Sequence, residues 1–103
     1  MIPMTVARVG KRRQGRPQLW RAEAEIQGRR FEAFSENDPT SELARMLLTA
    51  VKAGTLNPKI EDEQVAIEIE GRWGIESCRS LQTLAEFVYE PEEAYQHAGN
   101  AGR

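Results

Sequence analysis

Cysteine, histidine and long apolar runs are what this sequence has least of. Cys78 is the single cysteine among 103 residues and His97 the single histidine. One cysteine excludes an internal disulfide framework and a multi-cysteine metal site, and it points to a reducing, cytoplasmic setting. No apolar stretch approaches the ~20 residues that a membrane-spanning helix needs. In residues 1–13 a short apolar patch precedes the charges, the reverse of a secretory signal, so no targeting segment is expected. Hydrophobic residues make up 40% and charged residues 29%, the balance of an ordinary globular chain. A domain of this length buries roughly 65% of its unfolded-chain surface. The expectation is one domain over residues 1–95, followed by a disordered tail over 96–103 with nothing apolar to bury.

What the chain does have is segregated charge. Residues 1–30 carry eight basic side chains against Glu23 and Glu25, a net of +6; residues 31–103 carry six against fourteen acidic ones, a net of −8. Such a division suits a basic element for an anionic partner, an acidic surface for a cationic one, or ordinary solvated faces that happen to differ.

Periodicity supplies the architecture. In Trp20–Ile26, Trp20, Ala22, Ala24 and Ile26 share one face while Arg21, Glu23 and Glu25 share the other, the pattern of a half-buried strand. Gln27-Gly28-Arg29 reads as a short hairpin turn, and a strand returns through Arg30 to Phe34. Met4 to Val9 supplies an earlier strand. Asp38 and Pro39 suit the cap and first position of a helix carrying Leu43, Met46, Leu47, Ala50 and Val51 on one stripe, ended by Gly54 and Pro58. Strand character resumes at Gln64–Glu70, with Val65, Ile67 and Ile69 inward, and after Gly71 a short partner strand runs from Arg72 to Glu76, with Trp73 and Ile75 inward. Ser80 then caps a second helix whose stripe is Leu81, Leu84, Ala85 and Val88; Pro91 ends it, and residues 92–97 fit one more turn. The expected fold is α+β: a small antiparallel sheet of about five strands in the order β-β-β-α-β-β-α, with both helices on one face. Ile26-Gln27-Gly28-Arg29 and Ile69-Glu70-Gly71-Arg72 echo one another at the two hairpin turns, as an internal duplication of a ββα unit would.

Groups that could carry chemistry are few. His97 sits beside the expected tail, without rigid neighbours to hold it for general acid or base work. Cys78 precedes a helix but has no dependable base beside it, and a small buried hydrophobe is the plainer reading. Glu23/Glu25 and Glu68/Glu70 project from outward strand positions; on neighbouring strands the four would converge as a Mg²⁺ site, unless Arg21, Arg30 and Arg72 neutralise them across strands. Gly10 and Gly15 precede a strand and not a helix, so they do not form a phosphate-binding loop. A non-enzymatic chain is the expectation, with no catalytic residue, cofactor or metal ligand assigned.

The loop from Gly10 to Pro17 is the sharpest feature, with Lys11, Arg12, Arg13 and Arg16 in eight residues. Its Gln14-Gly15-Arg16-Pro17 resembles the Arg-Gly-Arg-Pro core of the AT-hook, with Gln14 where the first arginine of that core stands. The resemblance implies a loop lying in the minor groove of A·T-rich DNA. The same cations could equally track phosphates without reading sequence. Trp20, Phe31 and Trp73 fall on inward faces in this reading, which argues against a sheet that stacks single-stranded bases. The plan of three strands and a helix is also similar to the antitoxin halves of HicB type, and small charge-polarised domains are common among adaptors and phage-borne inhibitors. The expected function is therefore a cytoplasmic inhibitor-, adaptor- or antitoxin-like protein, binding a protein or protein–nucleic acid complex through segregated charge. Lys11, Arg12, Arg13, Arg16, Arg29 and Arg30 are the expected contact residues. The alternative is a direct DNA- or RNA-binding regulator using loop 10–17. An unpaired strand edge also allows a homodimer.

Overall fold

Three consecutive strands open the chain in the computed structural model, which describes residues 1–12, 14–73 and 79–86. Strand β1 (Ile2–Arg8) buries Ile2, Met4 and Val6 and leaves Pro3 and Thr5 exposed. Strand β2 (Trp20–Ile26) buries Ala22, Ala24 and Ile26, and β3 (Arg29–Ser35) buries Ala33. Period-two alternation decides this: three strands, one buried face each. Gln27 and Gly28, at φ 54° and 76°, join β2 to β3 as a two-residue turn of type I′, whose twist matches that of the flanking strands.

Helix α1 (Pro39–Lys52) begins where the sequence places its cap. The Asp38 carboxylate accepts from the Ser41 amide at 3.2 Å, the Thr40 hydroxyl at 2.8 Å and the Ser41 hydroxyl at 2.7 Å. Leu43, Ala44 and Leu47 are fully buried, whereas Met46 is 40% exposed, so the apolar stripe is rotated slightly from the expected one. A short 3₁₀ helix, Pro58–Asp62, contributes Ile60 to the core, and Leu56 is buried just before it. Then follow β4 (Gln64–Ile69), β5 (Arg72–Trp73), β6 (Arg79–Ser80) and helix α2 (Leu81–Glu86), in which Leu81 and Leu84 are buried. The Ser80 hydroxyl accepts from the Thr83 amide at 3.1 Å and so opens α2 as expected.

The sheet order is β3-β2-β1-β4-β5, with β6 also paired to β4. Pairing is antiparallel throughout except between β1 and β4, which run parallel with Ile2 opposite Val65 and Val6 opposite Ile69. The reason is the crossover. The 14-residue α1, ~21 Å long, carries the chain back along the sheet after β3, so β4 restarts in the direction of β1 and β3. The sheet is thus mixed, within the α+β class expected. Both helices pack together on one face, where the Arg45 guanidinium of α1 donates to the Ala85 carbonyl at 3.2 Å. Residues of α1, α2 and the inner sheet face form one core cluster. Glu70-Gly71 repeats the Gln27-Gly28 geometry, with φ 49° and 85°. The two hairpins flank β1 in opposite directions, an arrangement that follows the sequence echo.

Among the described residues no helix is long and apolar enough to cross a membrane. The expectations for Arg13, Ile75, Cys78, Val88, Pro91, His97 and the tail 96–103 lie outside the described residues.

Candidate functional site

The β1–β2 connection is built to project. At its base the Val9 amide donates to the Leu19 carbonyl at 2.9 Å, closing the hairpin. The side-chain amide of Gln18 donates to the carbonyls of Val9 and Gly10, each at 3.2 Å, and of Leu19 at 3.1 Å. Two hydrogens are thus shared among three carbonyls, of which that of Leu19 also accepts from the Val9 amide. Inside the loop, the Arg12 Nε donates to the Arg16 carbonyl at 3.3 Å. Lys11, Arg12 and Arg16 are exposed, and among the described residues none of them enters an ion pair.

The other two expected contact residues sit elsewhere. Arg29 and Arg30 begin β3 at the turn end of the β2–β3 hairpin, while the loop leaves from the far end of β2. Seven residues of strand put ~20 Å between the two sites, so the loop and the Arg29/Arg30 pair do not form one patch. Arg29 lies over the Phe31 ring, 5.4 Å from its centroid. Arg30 is on the open face, hydrogen-bonded to Glu23 and 2.9 Å from Glu32.

That open face, opposite the helices, is a lattice of charge. Register aligns Glu68, Thr5, Glu23 and Glu32 in one row across β4, β1, β2 and β3. Glu23 takes Arg30, the Thr5 hydroxyl at 3.3 Å and, more distantly, Arg21 at 4.0 Å. The hydrogen bond from Arg30 is the main reason the Glu23 carboxyl titrates below the usual carboxylate range, and it raises Arg30 in turn. Beside the loop base, Arg8 binds Glu70 in bidentate fashion, Nε to Oε1 at 2.6 Å and a terminal nitrogen to Oε2 at 3.1 Å. This lowers Glu70 and raises Arg8. The four glutamates considered as a cation site are therefore split, with β1 between Glu23 and Glu68. Two of the four are bound to arginine. Among the described residues no group of three or more His, Cys, Asp or Glu could hold a metal ion.

Among the described residues the surface carries depressions open to solvent. One, of about 380 Å³, lies on the open face over Pro3, Thr5, Glu23, Glu25 and Arg30. Another, of about 270 Å³, lies at the loop end of the helix-bearing face, over Val6, Trp20, Asp38, Pro39, Ile67 and Ile69. Ile69 is on that face as expected but 46% exposed.

Phe34 was not among the expected surface groups, yet it is 52% exposed on the open face, opposite Arg21. Alternation carried the signal: Phe31 and Ala33 share the inner face, so Phe34 must join Arg30 and Glu32 on the other. The open face is therefore not free of aromatic surface, contrary to the expectation. The backbone of Trp73 is registered opposite Glu68.

No protein-family model matches the chain, and comparison with curated proteins and with solved structures finds no match. What the molecule does has to be argued from these surfaces.

Proposed function

We propose that this chain is a non-catalytic binding protein that engages an anionic surface of a protein or nucleoprotein partner through the β1–β2 loop. One observation carries the reading: Lys11, Arg12 and Arg16 are exposed on a loop with a pinned base and, among the described residues, enter no ion pair. The basic groups of the sheet, Arg8 and Arg30, by contrast already hold carboxylates. Free cations on a pre-formed loop keep their full Coulomb attraction for a partner and cost little to order on binding. The sheet-face arginines contribute to the fold and Arg29 to its edge, so the working contact narrows to the loop, where Arg13 also falls in sequence. Inhibitor, adaptor and antitoxin roles all fit a binding domain of this kind, and a cytoplasmic setting fits its single cysteine.

A second reading, direct binding of DNA or RNA, is favoured by the likeness of Gln14-Gly15-Arg16-Pro17 to the AT-hook core. Fluorescence anisotropy with labelled mixed-sequence duplex DNA and single-stranded RNA, at low and physiological salt, separates the two. Micromolar binding that collapses with salt establishes the direct reading. No binding at low salt directs the search to a protein surface, identified by capture with the whole chain from the source cell. Capture that is equally strong after charge reversal at Lys11, Arg12 and Arg16 overturns the role of the loop.

A further inference from the structure

We propose that the free edge of β3 pairs with β3 of a second copy of this chain, antiparallel and in one register, to give a symmetric dimer with a continuous sheet. The inference is independent of the loop.

The edge is open. In the sheet order β3 has β2 on one side, and among the described residues no strand on the other. Which backbone groups face outward follows from the hairpin turn. In a two-residue hairpin the flanking pair, here Ile26 and Arg29, exchanges both hydrogen bonds, and the pairs then alternate along the ladder. Arg29, Phe31, Ala33 and Ser35 therefore bond to β2. Arg30, Glu32 and Phe34 direct their N–H and C=O groups to the free edge, and their side chains lie on the open sheet face.

A two-fold axis that keeps both sets of helices on one side of the joined sheet must pair residues of like parity. The strand allows three such alignments with substantial overlap. With Glu32 opposite Glu32 of the second copy, two carboxylates meet directly, which is destabilising. With Ala33 on the axis, Glu32 faces Phe34 and only alanines meet at the centre. With Phe31 on the axis, Arg30 faces Glu32 of the second copy and Glu32 faces its Arg30. This last alignment gives two opposite-charge pairs at hydrogen-bonded positions and sets the half-buried Phe31 side chains against one another. It also places Phe34, 52% exposed in the single chain, opposite the Gly28 turn of the second copy, where no side chain stands in its way. Edges that resist pairing use charged side chains, Lys above all, proline or bulges. This one alternates Arg30 and Glu32 and is complementary to itself.

The register has a signature that mixing can read. R30E alone sets an acid opposite Glu32 of its twin, and E32R alone sets a base opposite Arg30. An equimolar mixture of the two restores both opposite-charge pairs across one heterodimer. Sedimentation equilibrium on the full chain, from micromolar to millimolar, is expected to show a wild-type dimer. Each variant alone should weaken it by about tenfold or more, and the mixture should recover most of that loss. A wild type that stays monomeric over this range overturns the proposal, as does a dimer indifferent to both variants or a mixture that fails to recover. Circular dichroism checks that each variant folds. If either does not, amide exchange in the wild type decides: the Arg30, Glu32 and Phe34 amides should slow as concentration rises through the dimerisation range, and unchanged exchange there refutes edge pairing.

Discussion

The loop at Lys11–Arg16 and the open face of the sheet carry the same kind of side chain in opposite states. On the sheet, register delivers a carboxylate to each arginine that is paired: Arg30 reaches across to Glu23 and along its own strand to Glu32, and Arg8 meets Glu70 on the next turn. In the loop no carboxylate among the described residues plays that part for Lys11, Arg12 or Arg16, and no acidic residue occurs between Val9 and Ala22. Segment net charge is thus a poor map of available charge. The +6 of the first thirty residues mixes cations neutralised within the fold with cations that are not. The acidic remainder supplies two of the neutralising partners, Glu32 and Glu70, so the two halves of the sequence do not become two separate surfaces.

The largest expected effect tests the loop side of this contrast. Simultaneous charge reversal of Lys11, Arg12 and Arg16 removes three contacts to an anionic partner. If the partner is nucleic acid, the salt slope should fall by ~2.7 and affinity near 0.1 M salt by several hundredfold, on the order of what three phosphate contacts contribute there. The melting temperature should hold, since none of the three is ion-paired among the described residues; a melting loss comparable to a core mutation would erase the contrast. A smaller effect is expected at the loop base. Q18A removes the donor shared by three carbonyls, costing about 1 kcal/mol of stability and about three- to tenfold in affinity, as a looser loop must be ordered on binding. Thermal melts and anisotropy on the same protein read both.

Much of this contrast was legible in the sequence, and the failures have identifiable causes. Both hairpin turns, the Asp38 cap and the buried faces of β1 and β2 followed from local rules of alternation and capping that tertiary structure rarely overrides. The parallel β1–β4 junction did not, because strand order depends on where α1 lands, a non-local outcome. Periodicity places Met46 and Ile69 inward, yet 40% and 46% of their surface is exposed. Leu56 and Ile60 were missed as core residues because a 3₁₀ turn has no long repeat to reveal them. At the candidate site the loop could be read in full, since its chemistry is contiguous. The engagement of Arg30 by Glu23 and the separation of Arg29 and Arg30 from the loop required the register.

The sheet side of the contrast can be tested by removing one cation. Arg30→Gln takes away the group that holds Glu23 and Glu32, so the expected outcome is a drop of a few degrees or less in melting temperature, as befits exposed pairs. Loop-dependent affinity should stay within about twofold of wild type, because Arg30 is ~20 Å from the loop. An affinity loss approaching that of the loop variant would show that the two basic sites act on one partner after all.

Acid provides the mildest and most specific test. The Glu23 carboxyl is lowered chiefly by the hydrogen bond from Arg30, and that of Glu70 chiefly by the hydrogen bond from Arg8. A carboxyl whose pKa is depressed in the folded state binds its proton less readily there than in the unfolded chain. Its contribution is therefore fully present above the unfolded value of about 4.3, declines below it, and is gone once pH has fallen through the lowered folded value. The wild-type melting temperature should accordingly fall on acidification below about pH 4.3, and the fall should be shallower in E23Q and in E70Q, which have lost the titrating group. Each variant should also begin slightly below wild type at neutral pH. Parallel limbs for wild type, E23Q and E70Q would mean that the carboxylates of the open face are not held by the arginines beside them.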